Sequence, residues 1–251
     1  MNYEQKSIID IVENAYEVYG EYVNFNRFIP NALDGLKPSY RKAIFATMRV
    51  CKDELAGVDS VLGEAIKYYN HGSQYLVPVL CKLAKFGILR DDGANGSYFI
   101  YGDTVEHAAS RYLETGVAPF YYKLFSKLIN YVPYILSDKG HNEPEYIPTP
   151  VPLGLTFGYN AMSCGSNTEI PPLTAKSLID ALANNDPTKL KMSFGLELIP
   201  EQTNLDGIWK KGSGKLTFKY PWEVYELDGC KGILITGNPI YFKLNWKRER
   251  K

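Results

Sequence analysis

The amino-acid sequence predicts an α+β fold, with a helical arm at the N-terminus, a helix-turn-helix or winged-helix unit after it, and strands towards the C-terminus. Three observations predict this class. Apolar residues recur at helical spacing in the first part of the chain, Pro- and Gly-rich segments occupy the middle, and turn residues separate short strand-like runs near the end. The 251 residues suffice for one large domain or two small ones.

The composition argues against several classes of protein. Because 28 Lys and Arg balance 28 Asp and Glu, the overall charge gives no argument for a nucleic-acid partner. No apolar run approaches the roughly 20 residues of a membrane span, and the polar N-terminus does not resemble a signal peptide, so we expect neither a membrane protein nor a secreted one. The four Cys and three His are widely spaced, which argues against a zinc knuckle or a disulfide scaffold and for a reducing cytoplasm.

Four helices are predicted before the first strands. Glu4 to Val23 has the apolar spacing of an amphipathic helix, and Pro38 occupies the first turn of the next one. A short helix is predicted around Ser60 to Tyr68, and a stronger one over Ser73 to Phe86, with Ser73 as its N-cap. Short polar turns between these helices are typical of a helix-turn-helix or winged-helix unit.

The later elements follow from the same patterns. In the helix predicted over Thr174 to Asn184, we expect Leu178, Ile179 and Leu182 to face inward. The other assignments are a short helix over Asp103 to Ser110, an extended segment over Arg111 to Val117, turns and short strands over Asn130 to Pro172, a hairpin turn at Trp209 to Gly214 before a strand at Lys215 to Tyr220, and a strand at Gly232 to Thr236.

A basic cluster precedes and enters the second predicted helix. It consists of Arg27, Lys37, Arg41 and Lys42. Helix N-termini attract anions, since free N–H groups and the helix dipole both favour negative charge, so this cluster is a candidate phosphate-contacting edge. The alternative is an ordinary solvated helix face.

The segment Lys67 to Ser73 lies at the junction of two predicted helices. In a helix-turn-helix unit, the start of the second helix is the part that meets a nucleic-acid groove. An ordinary helix–helix turn with a capping serine explains the same residues equally well.

Arg111 and Tyr112 are a candidate catalytic pair. A phenol is a nucleophile when a cation or metal favours its phenolate, and an Arg guanidinium braces phosphate oxygens bidentately. The competing interpretation is a core tyrosine, because Val105, Ala108 and Leu113 complete an apolar helical stripe with Tyr112.

Six segments, taken in chain order, resemble the breakage-reunion (A-type) component of type IIA DNA topoisomerases, the family of gyrase A, the cleavage component of topoisomerase IV and the tailed-phage enzymes. The second segment departs from the family pattern at Tyr69, Asn70 and Ser73. The six are Arg27 to Lys42, Lys67 to Ser73, Asp92 to Gly96, Ala108 to Glu114, Leu155 to Pro172, and the pair Asp206 to Lys215 with Ile233 to Tyr241.

The resemblance implies a role for each candidate residue. Tyr112 would attack a DNA phosphodiester to form a 5′-phosphotyrosyl link, Arg111 would stabilise the charge on the phosphate, and His71 would hydrogen-bond a phosphate oxygen. Met162 would wedge between base steps, with a buried methionine as the alternative. The residues expected to bind the DNA backbone are Arg27, Lys37, Arg41, Lys42 and Lys67.

The resemblance also implies a domain organisation and partners. An N-terminal arm (1–29), a winged-helix DNA-binding domain with the catalytic tyrosine (30–150) and a partial, mixed α/β tower domain (151–251) are expected. We expect no metal site in this chain, with Mg²⁺ and ATP held by a separate Toprim/ATPase partner. The other expected partners are double-stranded DNA, a second copy of the chain, and a separate C-terminal fragment from a split gene or a trimmed protein. The divergence suggests a phage enzyme in the host cytoplasm. The alternative is a non-catalytic winged-helix DNA-binding module of the same family.

Overall fold

The computed structural model describes residues 7–96, 106–193, 197–204, 207–208, 211–219, 221–227 and 229–235. The fold is α+β, since six α-helices and several small antiparallel sheets occur among these residues. The chain divides into two units, the first formed by Met1–Gly93 with Ser110–Ile170 and the second by Ala94–Ala109 with Pro171–Lys251. No helix in the described residues is both long and apolar enough to cross a membrane.

The first unit contains five of the helices. The side chain of Ser7 accepts a hydrogen bond from the N–H of Ile9 at the start of the first helix, which continues into a π-helical turn at Asn24–Phe28. The helices are α1 (Ile8–Val23), α2 (Pro38–Cys51), α3 (Val58–Ala65), α4 (Val77–Lys85) and α5 (Pro119–Leu128).

A three-stranded antiparallel sheet and two hairpins complete the first unit. The sheet has the order β1-β3-β2, with Gly93 of β2 opposite Leu113 of β3. The strands are β1 (Ala56–Gly57), β2 (Leu89–Gly93), β3 (Leu113–Val117), the pair β4 (Tyr134–Leu136) and β5 (Asn142–Pro144), and the pair β6 (Tyr159–Ser163) and β7 (Ser166–Ile170).

The core of the first unit forms around α2, which is buried along most of its length. Apolar residues from the neighbouring elements pack around it, and each fully buried Leu or Ile contributes about 2 kcal/mol. The fully buried ones include Leu36, Ile44, Leu76, Leu80, Leu83, Ile88, Leu89 and Leu113. This core fixes the loop before α2 and the edge of the sheet, where the candidate residues lie.

The second unit contains one helix and two small sheets in its described part. The hydroxyl of Thr174 caps the helix α6 (Ala175–Asn184) by accepting a hydrogen bond from the N–H of Ser177. The strands β8 (Glu197–Leu198) and β9 (Phe218–Lys219) pair antiparallel, as do β10 (Trp222–Leu227) and β11 (Cys230–Ile235).

The structure corrects several predicted elements. The helix expected over 73–86 is split into a 3-10 turn at Ser73–Leu76 and α4, because Pro78 has no N–H to continue a single α-helix. Ser73 is not an N-cap, since the turn begins after Gly72 without a side-chain cap.

Three further predictions differ from the structure. Glu106 to Ala109 is not helical. The sequence patterns missed α5. Of the three residues of α6 that were expected to face inward, only Leu178 is buried, whereas Ile179 and Leu182 are exposed. Residues 4–6, 103–105, 206, 209–210, 220 and 236–241, which belong to predicted elements or motifs, lie outside the described residues.

Candidate functional site

A cavity of about 660 Å³ opens between the π-helical turn, the N-terminus of α2 and the loop that follows α3. It brings together three predicted site residues, Arg27, Lys37 and His71, which come from three separate segments. Its described lining contains no carboxylate and is formed by Asn26, Arg27, Lys37, Ser39, Tyr69, Asn70, His71, Gly72 and Tyr75. We call this cavity the basic cleft. Its charge suits an anionic ligand.

Arg27 and His71 are in direct contact at the wall of the basic cleft. The Nε of Arg27 donates to His71 Nε2 at 2.6 Å, and its Nη2 lies 2.5 Å from Nδ1. Since a neutral imidazole has one acceptor nitrogen, only one of these contacts is a full hydrogen bond. Burial, and then the charges of Arg27 and Lys42, lower the pKa of His71. His71 is therefore neutral at neutral pH and offers hydrogen bonds rather than charge.

A carboxylate from a distant segment holds the loop that carries His71. Asn70 Nδ2 donates to Asp138 Oδ2 at 2.6 Å, and the hydroxyl of Tyr22 donates to the same oxygen at 3.0 Å. Asp138 lies in the turn between β4 and β5, so it ties the loop to α1 and to that hairpin. Sequence reasoning missed Asp138, because no local pattern connects it to a loop nearly 70 residues earlier.

Lys37 stands at the N-cap position of α2, directly before Pro38. Its Nζ lies 5.4 Å from the ring centroid of Tyr40, and burial lowers its pKa. The first N–H groups of the helix and the Lys37 ammonium therefore combine beside the basic cleft, an arrangement that suits an anion.

Arg41 is inside the protein, with 8% of its surface exposed. Its Nε donates to Asp34 Oδ2 at 3.1 Å, and its Nη2 donates to the carbonyl of Leu36 at 3.2 Å. The same carboxylate accepts the N–H groups of Leu36 and Ile147. Burial of Asp34 raises its pKa, and Arg41 opposes that shift. Arg41 thus fixes the loop before α2 instead of facing solvent.

Lys42 is also inside the protein, with 7% of its surface exposed. Its Nζ donates to the carbonyl of Tyr68 at 2.6 Å and lies 3.3 Å from Glu143 Oε1. It therefore joins α2 to the start of the loop that carries His71. The interpretation of the basic cluster as a solvated helix face is wrong for Arg41 and Lys42.

Lys67 belongs to the same loop but does not line the basic cleft. Its Nζ donates to Glu64 Oε2 at 2.6 Å across one helical turn, and its side chain is about half exposed. The hydroxyl of Ser137 donates to the Lys67 carbonyl, which adds a second tie between the loop and the β4–β5 hairpin.

Arg111 and Tyr112 form a 3-10 turn, Ser110–Tyr112, directly before β3. The Arg111 guanidinium carbon lies 4.7 Å from the Tyr112 ring centroid, and 61% of Tyr112 is exposed. The core-tyrosine interpretation is therefore wrong. The pair does not line the basic cleft, so the structure presents it as a separate site.

Gly93 positions the backbone of this turn, a role that the sequence patterns missed. Its φ is 91°, and a Cβ at this position would collide with the carbonyl oxygen of Tyr112. Only glycine allows β2 to approach the turn this closely.

Met162 lies on the hairpin formed by β6 and β7, where it pairs with Asn167. It is 81% exposed, so the interpretation as a buried methionine is wrong. The hydroxyl of Ser163 donates to the side-chain oxygen of Asn24, in the π-helical turn that also carries Arg27. The hairpin is thereby attached to the arm beside the basic cleft.

In the part of the chain that the structure describes, no three His, Cys, Asp or Glu side chains form a group that could hold a metal ion. Three of the described acidic residues act instead as structural partners. Asp34 and Glu143 pair with α2, and Asp138 holds the loop.

The family model and the similar proteins that match this chain all indicate the same family. The family model of the DNA gyrase/topoisomerase IV A subunits matches residues 27–241. The A subunit of DNA topoisomerase 4 from Mycoplasma pneumoniae is 25% identical over an alignment that covers 93% of this chain and 32% of that protein. The A subunit of DNA gyrase from Helicobacter pylori is 30% identical over an alignment that covers 72% of this chain and 23% of that protein. The A subunit of DNA gyrase from Pseudomonas aeruginosa is 29% identical, and its alignment covers 96% of this chain and 28% of that protein. The chain spans between about a quarter and a third of the length of these relatives.

Proposed function

The chain belongs to the family of the DNA gyrase/topoisomerase IV A subunits, and we propose that it is the DNA-cleaving and rejoining part of a type IIA DNA topoisomerase. The observation that carries this proposal is the Arg111–Tyr112 pair. A phenol that is mostly exposed, in contact with a guanidinium and ahead of an ordered strand, is accessible to a phosphodiester.

Tyr112 acts as the nucleophile in the proposed reaction. Its phenolic oxygen forms a bond to the DNA phosphorus and loses its proton, while the bond from phosphorus to the 3′ oxygen breaks and that oxygen takes up a proton. The products are a 5′-phosphotyrosyl link and a free 3′-hydroxyl. Because one phosphodiester replaces another, rejoining is close to isoenergetic and follows the reverse path. Arg111 stabilises the charge on the phosphate oxygens.

The basic cleft supports a neighbouring phosphate-binding role. Arg27 and Lys37 supply charge there. Both ring nitrogens of neutral His71 face Arg27, so its N–H must turn from Arg27 to the ligand to donate a hydrogen bond to a phosphate oxygen. Lys67 would contact the backbone at the outer end of the same loop.

Arg41 and Lys42 have an indirect part in this proposal. Their buried pairs with Asp34 and Glu143 favour a positioning role, in which they hold the segments that carry Lys37 and His71.

Met162 is proposed as the side chain that enters between base steps. Its exposure at a hairpin tied to the arm supports this role. Unstacking a base step costs a few kcal/mol, which is offset by the wider contact that a bent duplex makes with the protein.

The helices α2, α3 and α4 with the β1-β3-β2 sheet support a winged-helix unit. We propose that an N-terminal arm spans residues 1–29, a winged-helix domain residues 30–150 and a partial tower domain residues 151–251.

The proposed enzyme contains more than this chain. The described residues offer no cluster that fits a metal ion. We propose that a Toprim/ATPase partner holds Mg²⁺ and ATP, and that two copies of this chain cut opposite strands.

A second candidate function is a DNA-binding module that does not cleave. The loop after α3 favours it, because Tyr69, Asn70 and Ser73 replace the residues of the family motif. Through Asn70, the loop also brings the Asp138 carboxylate close to His71, and this negative charge opposes a phosphate.

Denaturant trapping separates the two functions. The chain is mixed with a Toprim/ATPase partner, supercoiled plasmid, Mg²⁺ and ATP, and protein-linked DNA is collected after adding detergent. We expect covalent DNA with the wild type and with the matched control Tyr131→Phe, whose side chain is 85% exposed, and none with Tyr112→Phe. Covalent DNA on Tyr112→Phe would refute the site. No covalent DNA on the wild type would favour the binding module.

A further inference from the structure

The β4–β5 hairpin holds the loop that carries His71 at two points. The hydroxyl of Ser137 donates a hydrogen bond to the carbonyl of Lys67 at 3.3 Å. At the second point, Asn70 Nδ2 donates to Asp138 Oδ2 at 2.6 Å. Because Asn70 is the residue directly before His71, this second contact limits where the imidazole can lie.

The same carboxylate oxygen also binds α1. The hydroxyl of Tyr22 donates to Asp138 Oδ2 at 3.0 Å. The helix continues into the π-helical turn that carries Arg27, whose guanidinium contacts His71. One oxygen atom therefore links the segment of Arg27 to the segment of His71. Asp138 thus helps to fix both sides of the contact at the wall of the basic cleft.

Two of the positions at which the loop departs from the family pattern supply contacts around His71. The ring of Tyr69 lies 5.0 Å from that of His71 and is nearly perpendicular to it, at 84°. Asn70 supplies the hydrogen bond to Asp138. These departures therefore order the loop, which is expected of a site in use.

The hydrogen bond between Asn70 and Asp138 does not belong to the core. Both residues are exposed. Water competes for exposed polar groups, so such a contact contributes little to the stability of the whole fold. Its main effect is local, because it restricts the loop beside His71.

We propose that Asp138 and Asn70 are positioning residues for DNA cleavage, which keep the His71 imidazole within reach of a phosphate bound in the basic cleft. This inference rests on the proposed function and deepens it, since it assigns the β4–β5 hairpin to the same site. Displacing a reacting group by about 1 Å lowers a rate as much as about a hundredfold. Attraction of the DNA backbone by Arg27 and Lys37 depends on charge and tolerates such a displacement.

The test measures the rate of covalent trapping separately from DNA affinity. The chain and its Toprim/ATPase partner are mixed with supercoiled plasmid, Mg²⁺ and ATP, and detergent is added at successive times. Affinity is measured with a fluorescein-labelled duplex in the absence of Mg²⁺. We expect Asn70→Ala to lower the trapping rate at least about tenfold and to change DNA affinity by less than about threefold. Asn130→Ala, at an exposed position outside the loop, is the matched control and traps at the wild-type rate.

Two double variants show whether these residues act through His71. His71→Ala and the double variant Asn70→Ala/His71→Ala should trap at the same reduced rate, since Asn70 then has no imidazole to position. Asn70→Asp places a second carboxylate against Asp138 and should lower the rate as Asn70→Ala does. Combining Asn70→Asp with Asp138→Asn restores a hydrogen bond between the two positions and should return the rate to within about threefold of the wild type.

The outcomes distinguish this inference from the proposed function. Equal trapping rates for the wild type and Asn70→Ala, or additive losses from Asn70→Ala and His71→Ala, overturn the inference alone. Faster trapping by Asp138→Asn would show that this carboxylate opposes the phosphate, and would also overturn the inference alone. A wild type that traps no DNA overturns both. Circular dichroism of each variant confirms that a slower rate does not reflect a loss of fold.

Discussion

Replacing Lys82 by methionine tests whether burial and the charge of Lys37 lower the pKa of the Lys82 amine. The folded protein holds the Lys82 pKa at about 8 instead of 10.5, a difference that corresponds to about 3 kcal/mol. The rings of Tyr40, Phe86 and Phe157 attract the Lys82 ammonium, and this attraction and partial exposure to solvent oppose the cost of keeping the charge in the folded protein. We therefore expect Lys82→Met to raise the free energy of unfolding at pH 7 by about 1–3 kcal/mol.

The pH dependence gives a sharper test because its sign is fixed. Between about pH 8 and pH 10.5 the unfolded chain keeps the Lys82 proton, whereas the folded protein has lost it. Because the unfolded state then binds more protons, the stability of the wild type rises with pH across this window. Lys82→Met lacks this rise. The charged and titratable groups that face Lys82 are Lys37 and Tyr40, and burial raises the pKa of Tyr40 to about 12.

Urea unfolding followed by far-ultraviolet circular dichroism is the assay. Tyr40 and other buried tyrosines lower stability as pH rises above 10, and the difference between wild type and Lys82→Met removes their contribution. Lys127→Met, at an exposed position on α5, is the matched control. The same pH dependence in the wild type and Lys82→Met would show that Lys82 stays charged and would refute the reasoning.

Three further perturbations test the geometry of the site. Gly93→Ala forces a Cβ against the Tyr112 carbonyl and should lower covalent trapping at least tenfold while DNA binding stays within about threefold. Gly140→Ala, also at positive φ but in open space, is its control, and normal trapping by Gly93→Ala would contradict the positioning role. Asp34→Asn removes the charge opposite the buried Arg41 guanidinium and should lower the free energy of unfolding, measured with urea, by about 3–5 kcal/mol. A decrease below about 1 kcal/mol would contradict a buried ion pair between Asp34 and Arg41. Met162→Ala should change the free energy of unfolding by less than about 0.5 kcal/mol, because the side chain is exposed. The same substitution should reduce DNA bending, measured by fluorescence energy transfer between the ends of the duplex. Unchanged bending would contradict the proposed insertion of Met162 between base steps.

Local patterns predicted the elements whose causes are local. Pro38 begins α2 as expected, because a proline at N1 needs no hydrogen-bond donor. Thr174 precedes α6, the apolar run at 232–236 lies largely within β11, and the turns and short strands expected over Asn130 to Pro172 are present. Each of these depends on residues within a few positions of one another.

Distant partners explain what the sequence did not predict. The sequence around Arg41 and Lys42 is also compatible with a solvated helix face. In the structure Lys42 pairs with Glu143, about 100 residues later, and Asp34, the partner of Arg41, accepts a hydrogen bond from the N–H of Ile147. The 3-10 turn at Ser73 depends on Pro78, whose effect outweighs the capping pattern. The helix α5 is rich in aromatic residues with weak helix preference, so its pattern did not separate it from a strand.

The sequence predicted which residues belong to the candidate site but not how they are arranged in space. The sequence patterns named Arg27, Lys37 and His71, yet only the structure brings them to one cleft. Pattern alone favours a core position for Tyr112, and only the resemblance of the surrounding segment makes it the candidate nucleophile.

Identification of the tyrosine that carries DNA tests the account most directly. After detergent trapping of the wild type with its partners, nuclease and protease digestion leaves a nucleotide on one tyrosyl peptide, which tandem mass spectrometry assigns among the 20 tyrosines. The account predicts a nucleotide linked through its 5′-phosphate to Tyr112. A link to any other tyrosine, or a 3′-phosphate link, would contradict it.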